Sequence, residues 1–243
     1  MCGRFAITMP PEAMRQLFGY SDMPNFPPRY NVAPTQPVPI IRRAGENREF
    51  ALMRWGLVPS WSKEMPQTPL FNARADTINE KPSFRGAFRH HRALMPADGF
   101  YEWQVTGQNA KQPYFIRRRD RAPFAMAAIW DNWMPANGSE LDSCAVVTTS
   151  ANTMLTPIHH RMPVILDPKD YDLWLDPATP VKELEALMVA VPEDLMEAIP
   201  VSPDVNRVAN DGPHLLDPYL APTAPPVQKK KAKPVDDRQE SLF

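Results

Sequence analysis

The chain has 243 residues, 43% hydrophobic and 23% charged, with a formal net charge of −1, an ordinary composition for a folded protein with one sizeable core or two small ones. The near-neutral balance excludes a wholesale basic coat for nucleic acid, although a local basic groove remains compatible with it. With no basic-then-apolar leader, no run of about 18 apolar residues and only two cysteines, which lack CxxC spacing, the expectation is a cytoplasmic protein without membrane spans, disulfide framework or metal cluster.

Thirty prolines against nine glycines favour short, extended segments over long helices. In chain order the pattern predicts a helix over residues 11–18, strands over 38–42 and 50–55, and a helix over 82–89. Strands follow over 94–95, 100–105, 114–118, 124–129, 145–149 and 164–166, then helices over 168–175 and 180–189. The strands are aromatic or β-branched runs bounded by turn residues. Each predicted helix has proline near its first turn, and Val181, Leu184, Leu187 and Met188 recur at helical spacing. Residues 100–118 form the clearest hairpin, with Thr106, Gly107, Gln108 and Asn109 as turn chemistry. Because strands and helices do not alternate, the expected class is α+β with a curved antiparallel sheet flanked by short helices. Residues 1–220 read as one domain. Residues 221–243 are Pro-rich, then Lys-rich, then polar, which reads by composition as a disordered tail.

Cys2 raises a chemical question. Removal of Met1 would give it a free α-amine beside its thiol, a 1,2-aminothiol whose groups have unperturbed pKa values of about 7.7–8.0 and about 8.5. An aldehyde meeting that pair forms an imine with the amine, and thiolate attack closes a thiazolidine that is harder to hydrolyse. Arg4 is placed to lower the thiol pKa. Asn72 and Arg74 share one face if their segment is extended, an amide able to orient a reacting group and a guanidinium able to clamp a phosphate. Glu102 lies within an aromatic strand on the face of Phe100 and Gln104, where partial burial would raise its pKa toward general-acid use. His159 and His160 precede Arg161; in an extended segment only one imidazole shares a face with that arginine, and alternation favours His159. Each feature alone is compatible with an ordinary buried thiol, a surface loop or a solvated strand.

Taken together, MCGRF at residues 1–5, YNVAP at 30–34, WGLVPSW at 55–61, FNARADT at 71–77, ADGFYEW at 97–103, IHHRMPVIL at 158–166 and VSPDVNRVANDGP at 201–213 resemble, in order and spacing, the SRAP family of abasic-site processing proteins, over residues 2–217. The resemblance implies an α+β domain on a barrel-like antiparallel sheet that senses abasic sites in single-stranded DNA and crosslinks to them through Cys2, after Met1 is removed by the domain itself. It further implies that Asn72 positions Cys2 and the lesion, that Glu102 shuttles a proton in ring opening and imine formation, and that His159 assists formation or reversal of the crosslink. His160 occupies a slot that varies in the family, which leaves open which imidazole acts. Arg4, Arg74 and Arg161 would hold flanking phosphates and Trp61 would stack on a base. Arg85, Arg89 and Arg92 are candidates to extend a basic groove. No cofactor or metal is implied, and a monomer at replication forks on the nucleoid is expected.

The final residues, Gln239 to Phe243, resemble the QxxLF peptides that dock on the bacterial sliding clamp, with Gln239, Leu242 and Phe243 as anchors. Two other readings compete. An N-terminal-nucleophile amidotransferase also uses a freed Cys2 but acts on an amide, and a non-covalent single-stranded DNA-binding module would make Cys2 incidental.

Overall fold

A computed structural model describes residues 2–219 apart from Met23, Gln108, Asn109, Ala136 and Asn137; Met1, half of the turn chemistry read at 106–109 and the clamp-like Gln239, Leu242 and Phe243 lie outside the described residues. The elements run β1 (Phe5–Ile7), α1 (Pro11–Phe18), β2 (Arg29–Val32), β3 (Pro37–Ala44), β4 (Asn47–Trp55), β5 (Asn72–Arg74), α2 (Pro82–His90), β6 (Arg92–Ala97) and β7 (Gly99–Val105). They continue with β8 (Lys111–Arg118), β9 (Phe124–Trp133), β10 (Leu141–Ser150), β11 (Arg161–Pro163), β12 (Ile165–Leu166), α3 (Tyr171–Leu175), α4 (Val181–Leu187) and β13 (Met196–Pro200). The class is α+β, as expected.

Each predicted strand lies within or overlaps an observed one. β1, β2, β5, β11 and β13 had no predicted counterpart, because segments of three to five residues are too short to show an alternating pattern. The expected helix over 168–175 is two pieces: a 3₁₀ turn, Pro168–Asp170, capped by the Asp167 carboxylate on the Lys169 N–H at 3.1 Å, and then α3. α1 buries Met14 and Phe18 and stops at Gly19, whose φ of 68° is the left-handed cap that glycine tolerates.

One sheet has the order β13-β8-β7-β1-β2. In the other, the pairings run β9–β10–β4–β3–β6 and return to β9, with β11, β12 and β5 attached. The β10–β4 and β3–β6 ladders hold only two residue pairs each, so the sheet is curled and barrel-like rather than an evenly closed barrel. The antiparallel expectation needs one correction: β10 runs parallel to both β4 and β5. The chain between β5 and β10, which includes α2 and β6–β9, supplies the long crossover that parallel neighbours need.

Arg92 corrects another expectation. It is 3% exposed and donates to the carbonyls of Phe88, Arg89, Trp174 and Asp176, tying the end of α2 to α3. Desolvation lowers its pKa to about 10, and it contributes nothing to a surface patch. Among the described residues no cluster of three His, Cys, Asp or Glu is placed to hold a metal, and no helix is long and apolar enough to cross a membrane.

Candidate functional site

The two sheets meet at the N-terminus. β1 pairs with β7 through Phe5–Phe100 and Ala6–Gly99, and the Tyr101 N–H donates to the Arg4 carbonyl at 2.9 Å. Continuing that antiparallel register brings Glu102 beside the residues that precede Arg4. From the other sheet, β10 pairs Val146 with Asn72 and Ser150 with Arg161, so one strand carries both the FNAR segment and the end of the HHR segment to the same place. Beneath them an aromatic chain couples the sheets. Phe5 packs edge-on against Trp55 at 5.3 Å, Trp55 against Phe71 at 6.0 Å, and the Trp55 indole N–H donates to the Phe71 carbonyl at 2.9 Å.

The result is a convergence of four side chains far apart in sequence. The Asn72 amide donates to the Cys2 carbonyl at 2.8 Å, while its own Oδ1 is buried without a hydrogen-bond partner among the described residues. The His159 Nδ1 lies 3.9 Å from the Glu102 carboxylate. It is also 3.0 Å from both the N–H and the carbonyl of Arg161. The neutral ring accepts from that N–H with its proton on Nε2, and a ring protonated at Nδ1 donates to that carbonyl, so one residue's backbone holds the imidazole in either state. His160 is exposed and stacks on His159 with centroids 4.5 Å apart.

Burial governs the protonation of the set. Desolvation pushes the Cys2 thiol well up, with the Glu102 charge adding to it. This reverses the expectation for Arg4: its guanidinium is occupied elsewhere, and only its backbone N–H acts to lower the thiol. Desolvation also raises Glu102, 3% exposed at the side chain, and lowers His159. Burial thus favours the protonated form of the acid and the neutral form of the base in two groups set next to each other.

The residues expected at phosphates lie differently from one another. Arg74 is exposed and paired with Asp76 at 2.5 Å. Arg161 is buried, donates to the Thr148 carbonyl and hydroxyl, and lies 4.0 Å from Asp76. Arg4 donates to Asn31 Oδ1 at 2.7 Å and to the Val205 carbonyl at 2.6 Å. Trp61 is 64% exposed, on the loop between β4 and β5. Sequence reasoning passed over Thr148, Asp76 and Asn31. The YNVAP and VSPDVNRVANDGP segments stood out as motifs, but what each polar residue in them holds is visible only when residues 31 and 205 meet.

Residues 1–208 match the family described as SOS response associated peptidase (SRAP). The chain is 37% identical over 224 residues to the Abasic site processing protein YoqW of Bacillus subtilis, covering 90% of this chain and all of that protein. It is 34% identical over 226 residues to the Abasic site processing protein YedK of Escherichia coli, covering 90% and 100%, and 34% identical over 269 residues to the Abasic site processing protein HMCES of Rattus norvegicus, covering 90% and 76%. A crystal structure of a protein from Bacteroides thetaiotaomicron superposes with a TM-score of 0.82 at 28% identity, over 90% of this chain and all of that one.

Proposed function

We propose that this chain, which belongs to the SRAP family, senses abasic sites in single-stranded DNA and captures them covalently through Cys2. The observation that carries the reading is the meeting of Cys2 with Asn72, Glu102 and His159 in a chain whose relatives are named abasic site processing proteins.

The chemistry begins with hydrolysis of the Met1–Cys2 peptide bond by water, which releases Met1 and frees the Cys2 amine. The ring-opened abasic sugar offers an aldehyde carbon. The amine nitrogen adds to it, and the carbinolamine loses its hydroxyl as water to give an imine. The Cys2 sulfur then adds to the imine carbon as the nitrogen takes up a proton, closing a thiazolidine, with one water lost overall. Glu102, whose hold on its proton is strengthened by burial, supplies the proton that lets the hydroxyl leave. His159, whose neutral form is favoured by burial, accepts the proton of the attacking amine or thiol. Asn72 fixes the Cys2 backbone, and its Oδ1, without a partner among the described residues, accepts from the sugar hydroxyls or the amine. Arg74 exchanges Asp76 for a strand phosphate, with Arg4 and Arg161 behind it, and Trp61 stacks on a base. Gln239, Leu242 and Phe243 form a sliding-clamp peptide that brings the protein to replication forks, where single-stranded lesions arise.

Intact mass spectrometry with and without abasic single-stranded DNA tests the reading. The expected masses are the chain less Met1 and, with DNA, an adduct of protein plus DNA less one water. Cys2→Ala should form no adduct that survives a denaturing gel. Glutamine hydrolysis without an adduct would instead favour an amidotransferase.

A further inference from the structure

We propose that the apolar groove between α4 and β12 is a docking site for the chain's own residues 239–243, which sit there in the free protein and leave it for the clamp. The proposal takes that peptide from the clamp reading above, and the docking itself is tested without a clamp.

The groove has a volume of about 330 Å³, at the small end of ligand sites and suited to one or two side chains. Ile165, Leu187, Val189, Val191 and Leu195 are among the residues that line it. Val189 is 60% exposed and Leu195 40%, and two large aliphatic side chains exposed in one concavity mark a contact surface, as scattered ones do not. Backbone hydrogen bonds hold the walls in place. The Val191 carbonyl accepts from the Asn152 amide at 3.0 Å, the Leu195 carbonyl accepts from the Arg119 N–H at 3.0 Å, and the Leu195 N–H donates to the Pro192 carbonyl at 3.3 Å. The aliphatic side chains are thus presented from fixed backbone instead of closing on one another.

The end of the described chain lies within reach of this groove. The Tyr219 N–H donates to the Pro200 carbonyl at 2.8 Å, and Pro218 bridges to Val201, so the chain leaves the fold beside the last residue of β13. Leu195 directly precedes the first residue of that strand, about 17 Å away at the rise of a strand. Residues 220–238 span roughly 60 Å at about 3 Å each, so residues 239–243 arrive without strain. A tether of this length gives an effective concentration on the order of 1 mM, at which a contact with a Kd of about 100 μM is formed about nine-tenths of the time. The chemistry of the segment also fits. Leu242 and Phe243 supply two apolar anchors, with Asp236, Asp237 and Glu240 just before them. At the Leu195 end, Arg117, Arg118, Arg119 and Arg121 surround Asp120; Arg118 pairs with Asp120 at 2.6 Å and Arg117 with Glu197 at 2.9 Å, while Arg119 and Arg121 are exposed. Lys169 and Asp167 offset one another at 3.6 Å. Asp170 also lines the groove, and Glu193 and Asp194 precede Leu195, so the acids of the segment face the arginines while its two apolar residues fill the groove.

The test compares the wild-type full chain with a full chain carrying Leu242→Ser and Phe243→Ser. A labelled peptide of residues 234–243 is titrated into each and followed by anisotropy. It should bind the double variant with a Kd of about 100 μM and the wild type about tenfold more weakly, because the tethered copy already fills the groove. Adding Val189→Asp to the double variant should abolish peptide binding and leave the melting temperature unchanged, as expected at an exposed position. No peptide binding, equal binding to both chains, binding that survives Val189→Asp, or equal binding of a scrambled peptide overturns the inference. Amide hydrogen exchange over residues 187–195 should be slower in the wild type than in the double variant, to the same degree at every protein concentration. Equal exchange in the two chains overturns the docking, and protection that grows with concentration puts the peptide in a second copy and overturns docking within one chain. Val189→Asp in the otherwise wild-type chain should raise clamp affinity about tenfold by freeing the peptide. An unchanged clamp affinity overturns the competition, whereas no clamp binding with peptide docking intact overturns only the clamp reading.

Discussion

Glu102 and His159 are shifted by the same burial in opposite senses, and the two shifts have opposite consequences for stability. Glu102 is raised, so above its ordinary value of about 4.3 the folded chain binds more proton than the unfolded one, and stability falls as pH climbs through that window. His159 is lowered; just below about 6.5 the unfolded chain binds more proton, and stability rises with pH there. Glu102→Gln should therefore remove the fall and leave the rise, as read by denaturant midpoints across pH 4 to 8. It should also remove the alkaline limb of the crosslinking rate, while His159→Ala removes the acid limb. A second buried residue carries structure. Asn31 donates to the carbonyls of Val205, Arg207 and Asn210 and accepts from Arg4. Asn31→Ala strands these groups and should cost about 3 kcal/mol, a melting shift of roughly 6–12 °C.

At the scale of the element, a close approach between strands explains one glycine of the ADGFYEW segment. A Cβ on Gly99 would sit 2.4 Å from Phe115 and 2.6 Å from the Ile116 carbonyl. A ring can swing aside, but a paired backbone carbonyl cannot. Gly99→Ala should push β7 off β8, disturb the β1 pairing that presents Cys2, and cost about 3 kcal/mol, with slower crosslinking even below the melting transition. The long strands were legible in the sequence because aromatic and β-branched residues fill them. β1, β5 and β11, which carry or adjoin Cys2, Asn72 and His159, were not, because their conformation is imposed by β7 and β10 rather than by their own propensity. The chemistry proposed for Cys2 starts from its position in the sequence. The commitment of Arg92 to four carbonyls, or of Arg4 to Asn31, could not be read there, since an arginine in a sequence looks the same whether it faces solvent or a carbonyl cage.

At the scale of the whole molecule, the proposed chemistry and the proposed clamp peptide are separable. Cys2 is held between two sheets by hydrogen bonds and packing that end at Tyr219, whereas Gln239, Leu242 and Phe243 follow a further stretch of chain whose proline and lysine content suits a spacer of about 3 Å per residue. A tether of this kind raises local concentration without altering the site it carries. Deleting residues 239–243 should therefore leave the crosslinking rate on free oligonucleotides unchanged within twofold. On a primed template loaded with clamp, the same deletion should slow crosslinking at limiting protein, and a pull-down should recover no clamp. Clamp retention equal to the full chain would sink the tether, and a slower rate on free oligonucleotides would mean that the last residues act on the site itself.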